Sequence, residues 1–445
     1  MRTDTATSRT APDAAPPVPL RRNWRFQALW AGQAGSTLGL QIADTAYPLL
    51  LLALTGSSTL AGAFGALQIG AAVLFGLHGG AAADRYDRRR VLIVGDSVRL
   101  LACASVPLAL ALDRLTVAHT LLVAVVIGAT SAYTGPTRLI AVRSVVPPEQ
   151  LRQALAQDEA RMSGAGLVGP PLAGALFGLG RAAPFVGTAV ASLLALTSAL
   201  LVRFPGRPQS ETVDTNGGTD TSTGASTGAS TGASTDGGSL AGYRYLAGHT
   251  LLRPTVAVVL LINVAGSAML LPLMVLLRSQ GTSSAGIGLA LAGEAVGALA
   301  GALLVGRLHR LAGPGVLLLA VSWLTVPVLL APLLPGGAVT VFVALFTVGL
   351  GTPTLRVMID LLVFGRVSDA LRGRVVAATM TVFTVGMPAG MVGSGLLLDH
   401  LSPATVLGTV AALLAVGLVP ATAGRTLRRA DWPEQSAVQA AAPTT

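Results

Sequence analysis

Residues 58–83 and 91–112 are two long apolar runs, and the chain between them reads Gly80-Ala81-Ala82-Ala83-Asp84-Arg85-Tyr86-Asp87-Arg88-Arg89-Arg90. A helix crosses a bilayer with about 20 apolar residues. A cluster of Arg and Asp cannot lie in hydrocarbon, so this segment forms a short loop at a membrane surface. Arg next to a membrane helix marks the cytoplasmic side. The loop is therefore expected inside, and the topology of the whole chain follows from it.

The same pattern recurs. Spans are expected at 26–54, 58–82, 91–112, 116–137, 155–179 and 182–203, then at 254–278, 285–306, 314–334, 337–362, 374–398 and 403–424. Only 11% of residues are charged, where a soluble domain carries about 25%. The fold class is an all-α polytopic membrane protein with twelve transmembrane helices in two six-helix bundles, both termini cytoplasmic. The first bundle covers 24–203 and the second 240–424, the latter led by an interfacial helix over 240–253 that mixes Tyr243, Tyr245 and Leu246 with Arg244 and Arg253. A Ser/Thr/Gly-rich stretch, 204–239, repeats Thr-Gly-Ala-Ser and cannot bury a core, so it reads as a flexible linker. Residues 1–23 and 425–445 read as tails, and the first lacks the short apolar core of a signal peptide. With this parsing, 24 Arg fall in inside segments and 3 in outside ones. One missed span would scramble that asymmetry. The expected location is the cytoplasmic (inner) membrane, multi-pass. Two similar bundles joined by a linker suggest parallel repeats.

Composition excludes several classes. The net charge of +10 comes entirely from Arg, since Lys is absent. Its placement in short loops fits membrane orientation better than nucleic-acid binding, so no nucleic-acid partner is expected. Cys103 is the only cysteine, so no intramolecular disulfide can form. The five His are scattered, giving no metal site, and no Lys means no phosphate-binding Gly-x-x-x-x-Gly-Lys loop and no direct ATP drive. No nucleophile–base pair is visible. An enzyme and a cofactor are not expected, and the chain is expected to act as a monomer.

The segment 80–90 resembles the signature of the major facilitator superfamily, Gly-x-x-x-Asp-Arg-x-Gly-Arg-Arg-Arg, with Asp87 where that pattern has Gly. Its continuation to Asp96 and Arg99, Gly135-Pro136-Thr137-Arg138, Val146-Pro147 and Arg372-Gly373-Arg374-Val375 resemble the branch of macrolide-efflux and enterobactin-exporter-like proteins. The likeness runs through nearly all of 24–424. It implies two bundles that rock about a central site. It also implies that Asp84 meets the N-terminus of the eleventh span near Arg374–Val376, so that Gly80, Asp84, Arg85, Arg88, Arg89, Arg90 and Arg374 act as a gating latch. A carboxylate there would meet unpaired N–H groups and the positive end of a helix dipole. Gly164, Gly166, Gly169, Pro170, Pro171 and Gly174 in the fifth span resemble the antiporter motif of exporters. Small residues permit close packing, and prolines bend the helix.

Asp44 and Glu294 fall well inside apolar spans. A lone intramembrane acid normally faces a cavity or a partner, so these two are the candidate proton or substrate sites; a structural partner is the alternative for each. Asp96 and Arg99, three apart on one helix face, are expected to form an ion pair that supports the latch. Asp158 with Arg161 and Arg356 with Asp360 fit the same description. Gln33, Gln41, Gln68 and Asn263 could reach a cavity or pair with neighbouring helices. The expected function is secondary export of amphiphilic small molecules, drug or natural product, against proton entry. A siderophore exporter or a lysophospholipid-type carrier of the same fold is the alternative. The expected partners are the small-molecule substrate, protons and the lipid bilayer.

Overall fold

The computed structural model describes residues 19–202, 239–311, 313–359 and 369–428. Among these every regular element is helical. The first half comprises α1 (Trp24–Thr55), α2 (Ser58–Arg85), α3 (Arg88–Ala111), α4 (Val117–Val145), α5 (Leu151–Leu179) and α6 (Ala183–Leu201). The second comprises α7 (Ser239–Gly248), α8 (Leu252–Ser279), α9 (Ser284–Leu291), α10 (Gly293–Leu311), α11 (Pro314–Leu330), α12 (Ala338–Ile359), α13 (Asp369–Leu398), α14 (Pro403–Ala423) and a short α15 (Arg425–Arg428). Among the described residues twelve spans are long and apolar enough to cross a membrane, with α9 and α10 counting as one. The expected linker and the expected tails lie, apart from a few flanking residues, outside the described residues.

Short polar residues start the helices by taking up amides that lack an intrahelical acceptor. Asn23 caps α1, Ser57 caps α2, Thr116 caps α4 and Ser402 caps α14. Asp87 caps α3: its Oδ1 accepts from the amides of Arg89 at 2.8 Å and Arg90 at 3.2 Å. The residue that departs from the signature thus holds the start of the next helix. Gly56 ends α1 at φ 70°, a left-handed conformation that favours glycine.

Successive helices run up and down. Asn23 at the start of α1 donates to the Val145 carbonyl at the end of α4, and Arg89 at the start of α3 donates to the Leu200 carbonyl near the end of α6. These contacts define an Arg-rich end. In the first bundle Tyr47 stacks on Phe64 at 4.4 Å and meets Phe185 edge-on at 4.8 Å, all three buried. In the second, Leu252, Leu273, Leu318, Leu345 and Val406 are buried together. Large apolar side chains such as Leu74, Leu303 and Val416 point outward, as a lipid-facing surface requires. The halves meet where α2 packs on α13 and where α5 packs on α9 and α10.

Several boundaries differ from the sequence expectation. The fourth span runs to Val145 rather than 137, which takes Arg138 out of a loop and into the helix; its charge is paired inside the bundle, so it need not reach water. The interfacial helix ends at Gly248 instead of 253, and α8 begins at Leu252. The eighth span breaks at Ala292. The eleventh begins at Asp369, so Arg374–Val376 lie inside α13 and its unpaired first-turn amides lie earlier.

Candidate functional site

Asp44 stands about two thirds of the way along α1, about 16 Å from its Thr55 end, and Glu294 stands about 15 Å from the Ser284 end of α9, at a rise of 1.5 Å per residue. Both acids therefore lie at nearly one depth in the two bundles. Gly166 of α5 ties these levels together: a Cβ there would sit 3.5 Å from the Gln41 amide nitrogen and 3.7 Å from the Ala295 Cβ. Gln41 is one turn from Asp44, and Ala295 adjoins Glu294. Asp44 and Glu294 are both exposed. Gln68 of α2 donates to Asp44 Oδ1 at 2.9 Å. Among the described residues neither acid is in an ion pair. Such a pair can take up protons or a cationic group. The break at Ala292 puts Glu294 in the first turn of α10.

A second polar cluster is closed off inside the first bundle. Asp96 is fully buried; its Oδ1 accepts from Arg99 at 2.6 Å and its Oδ2 from Arg138 of α4. Arg99 and Arg138 are each 3% exposed. Arg161 of α5, also buried, pairs with Asp158. Arg99 and Arg138 thus share one carboxylate, while Arg161 has its own. The sequence foresaw Asp96 with Arg99 but not Arg138; a signal was available in Arg138 lying one residue past the expected span end.

The bundles are joined at the end opposite the Arg-rich one. A Cβ at Gly174 would strike the Ser284 carbonyl of α9, and one at Gly288 would strike the Pro170 carbonyl of α5. Gly62 and Gly65 of α2 receive Met391 of α13 in the same way, and Gly395 lies against Ser58. Gly169 instead faces Gln41 within the first bundle, and Gly164 has open space around it. Asp399, just past α13, adds polar bonds: it accepts from the Ser58 amide at 2.7 Å, from the Thr59 amide at 3.3 Å and from the Ser57 hydroxyl at 3.1 Å. The sequence reading passed over Asp399. Its only signal was an acid in a short loop, where acids are ordinary.

At the Arg-rich end, among the described residues, no glycine of α2 or α13 closes on the other bundle. Gly80 of α2 and Gly373 of α13 have open space around them. Arg85 and Arg374 are exposed, and among the described residues neither is in an ion pair. The side chains of Asp84 and Arg372 lie outside the described residues, as does Asp360 entirely. Arg89 reaches the Leu200 carbonyl rather than α13. Among the described residues, the close glycine contacts between α2 and α13 lie at the end opposite the Arg-rich one.

The family model described as Major Facilitator Superfamily matches residues 29–254, just over half of the chain. No curated protein matches the chain in sequence at a significant level. Among solved structures, a bacterial homologue of the iron transporter ferroportin in an inward-facing state aligns with TM-score 0.65 at 17% identity, covering 92% of this chain and 100% of that one. A bacterial homologue of the human lysosomal transporter Spinster, inward-facing and occupied, aligns at 0.66 and 15% identity over 91% of this chain and 96% of that one. The nucleoside transporter NupG aligns at 0.65 and 14% identity over 90% and 98%. At these identities the likeness is one of fold. Twelve spans in two bundles and the family match over both the signature loop and the first bundle make this chain a member of the Major Facilitator Superfamily, a membrane transporter.

Proposed function

We propose that this transporter is a secondary exporter of amphiphilic small molecules, drug or natural product, that exchanges them for protons by alternating access. The observation that carries the reading is the pair Asp44 and Glu294, two carboxylates at one depth on opposite bundles with no basic side chain paired to them among the described residues. A proton or a cationic group on the substrate neutralises such an acid, and competition between the two couples their movements. The Arg-rich end is taken as cytoplasmic, so the structure is read as the inward-facing state. The resemblance of the motifs to macrolide-efflux proteins supports the outward direction. Under the same reading Gly80, Asp84, Arg85, Arg88–Arg90 and Arg374 form the inner latch, engaged only when that end closes. The small residues of α5 with Pro170 form the seam at the outer end.

Efflux of hydrophobic cations and neutral antibiotics from cells, with and without a proton uncoupler, tests the reading in the wild type and in Glu294→Gln. Uncoupler-sensitive efflux that the substitution abolishes is expected. Efflux that survives both treatments refutes coupling through Glu294.

A further inference from the structure

We infer that Asp399 is the outer-gate positioning residue of this transporter: it holds the end opposite the Arg-rich loop closed by capping a helix of the other bundle. The first amides of a helix have no intrahelical acceptor. In α2 they are divided between two owners. Ser57, its own cap, accepts from the Leu60 amide at 3.3 Å. The amides of Ser58 and Thr59 go to Asp399, more than 300 residues later in the chain. The Ser57 hydroxyl also donates to it. At this end the hydrogen bonds that cross between bundles all belong to Asp399 among the described residues.

A carboxylate at a helix N-terminus is favoured by both amides and dipole. Here the two partners sit on bodies that must part when the outer end opens. The bonds therefore exist in one access state and are exchanged for water in the other. An interaction present in only one of two states shifts their ratio by its own strength. The surrounding seam is made of glycines, Gly62, Gly65 and Gly395 against Met391 and Ser58, so it supplies shape but no charge. Asp399 supplies the polar bias towards the closed outer end.

The inference rests on the alternating-access reading, and one measurement separates the two. Spin labels at Leu112→Cys and Leu334→Cys, exposed sites on the outer loops of the two bundles, report the outer distance in a Cys103→Ser background by pulsed electron resonance. Asp399→Ala is compared with Ser58→Pro. Proline at the first helical position preserves the helix and deletes one amide donor, and Ser57 already has the extended backbone that a following proline requires (φ −90°, ψ 119°). Each variant is expected to raise the open-to-closed ratio about twofold to fivefold, the range for a carboxylate at a helix terminus. The double variant is expected to do no more than Asp399→Ala alone. An unchanged ratio in Asp399→Ala, or additive effects of the two changes, overturns the inference while leaving alternating access intact. A single outer distance in the wild type, with and without a proton gradient, overturns both.

Discussion

Changing Asp96 to Asn removes one negative charge from a place where, among the described residues, two positive charges have no other ion-pair partner. Asp96 is fully buried, and Arg99 and Arg138 are each 3% exposed. With an effective dielectric of about 20, each Asp–Arg attraction at about 4 Å is worth about 4 kcal/mol, and the repulsion between the two Arg is the same before and after the change. Losing both attractions removes about 8 kcal/mol, above the range of about 3–5 kcal/mol measured when one partner of a buried pair is removed. Some charge is recovered by relaxation and water, so a loss of about 4 kcal/mol is expected. For a bundle of about 180 residues this lowers the midpoint of thermal unfolding by about 8–16 °C. The protein carries its own reporter: Cys103 is its only cysteine, lies on α3 and is 2% exposed. A thiol-reactive dye therefore reads unfolding of this bundle in detergent. Adding Arg138→Met to Asp96→Asn is expected to restore more than half of the shift, because it removes the second stranded cation. A midpoint within 2 °C, or no restoration by Arg138→Met, would refute the assignment of a charge-balanced core.

Two further outcomes follow from the caps. Asp87→Ala should cost about 1 kcal/mol of stability, the usual loss for a helix cap, with efflux otherwise intact; a loss of transport at unchanged stability would show that Asp87 belongs to the latch. For Asp399, slight burial raises the carboxyl pKa, but the hydrogen bonds from Thr59, Ser58 and Ser57 outweigh it and hold the group below its ordinary 3.8. A depressed pKa means that the contact is fully present above the ordinary value and lost only as pH falls through the lowered one. His400 is the neighbouring titratable group on the same segment, and the first turn of α2 carries none. In a His400→Gln background the contribution of Asp399 to outer closure should therefore be constant from pH 8 to 5, read as the Asp399→Ala difference in outer distance. A difference that vanishes near pH 6 would contradict the capped geometry.

The twelve spans were legible because the bilayer imposes a local rule. Each helix must satisfy its own backbone and hide it among apolar side chains, whatever it packs against, so a window of about 20 residues decides each one. Asp44 and Glu294 stood out for the same reason: an acid in such a window is anomalous without knowledge of its neighbours. The signature loop was legible as a pattern, yet Asp87 read as a departure until its bonds to Arg89 and Arg90 showed it starting α3. Arg138 was set in a loop because hydrophobicity cannot see a counter-charge 42 residues away, and it is Asp96 on α3 that lets the helix continue past it. Asp399 carried no local mark at all. Its partners, Ser57, Ser58 and Thr59, lie in the other half of the chain. Local chemistry determined what crosses the membrane; packing of helices within the first bundle decided which charges are paired, and packing of one bundle on the other decided where the two halves meet, because both depend on residues far apart in the chain.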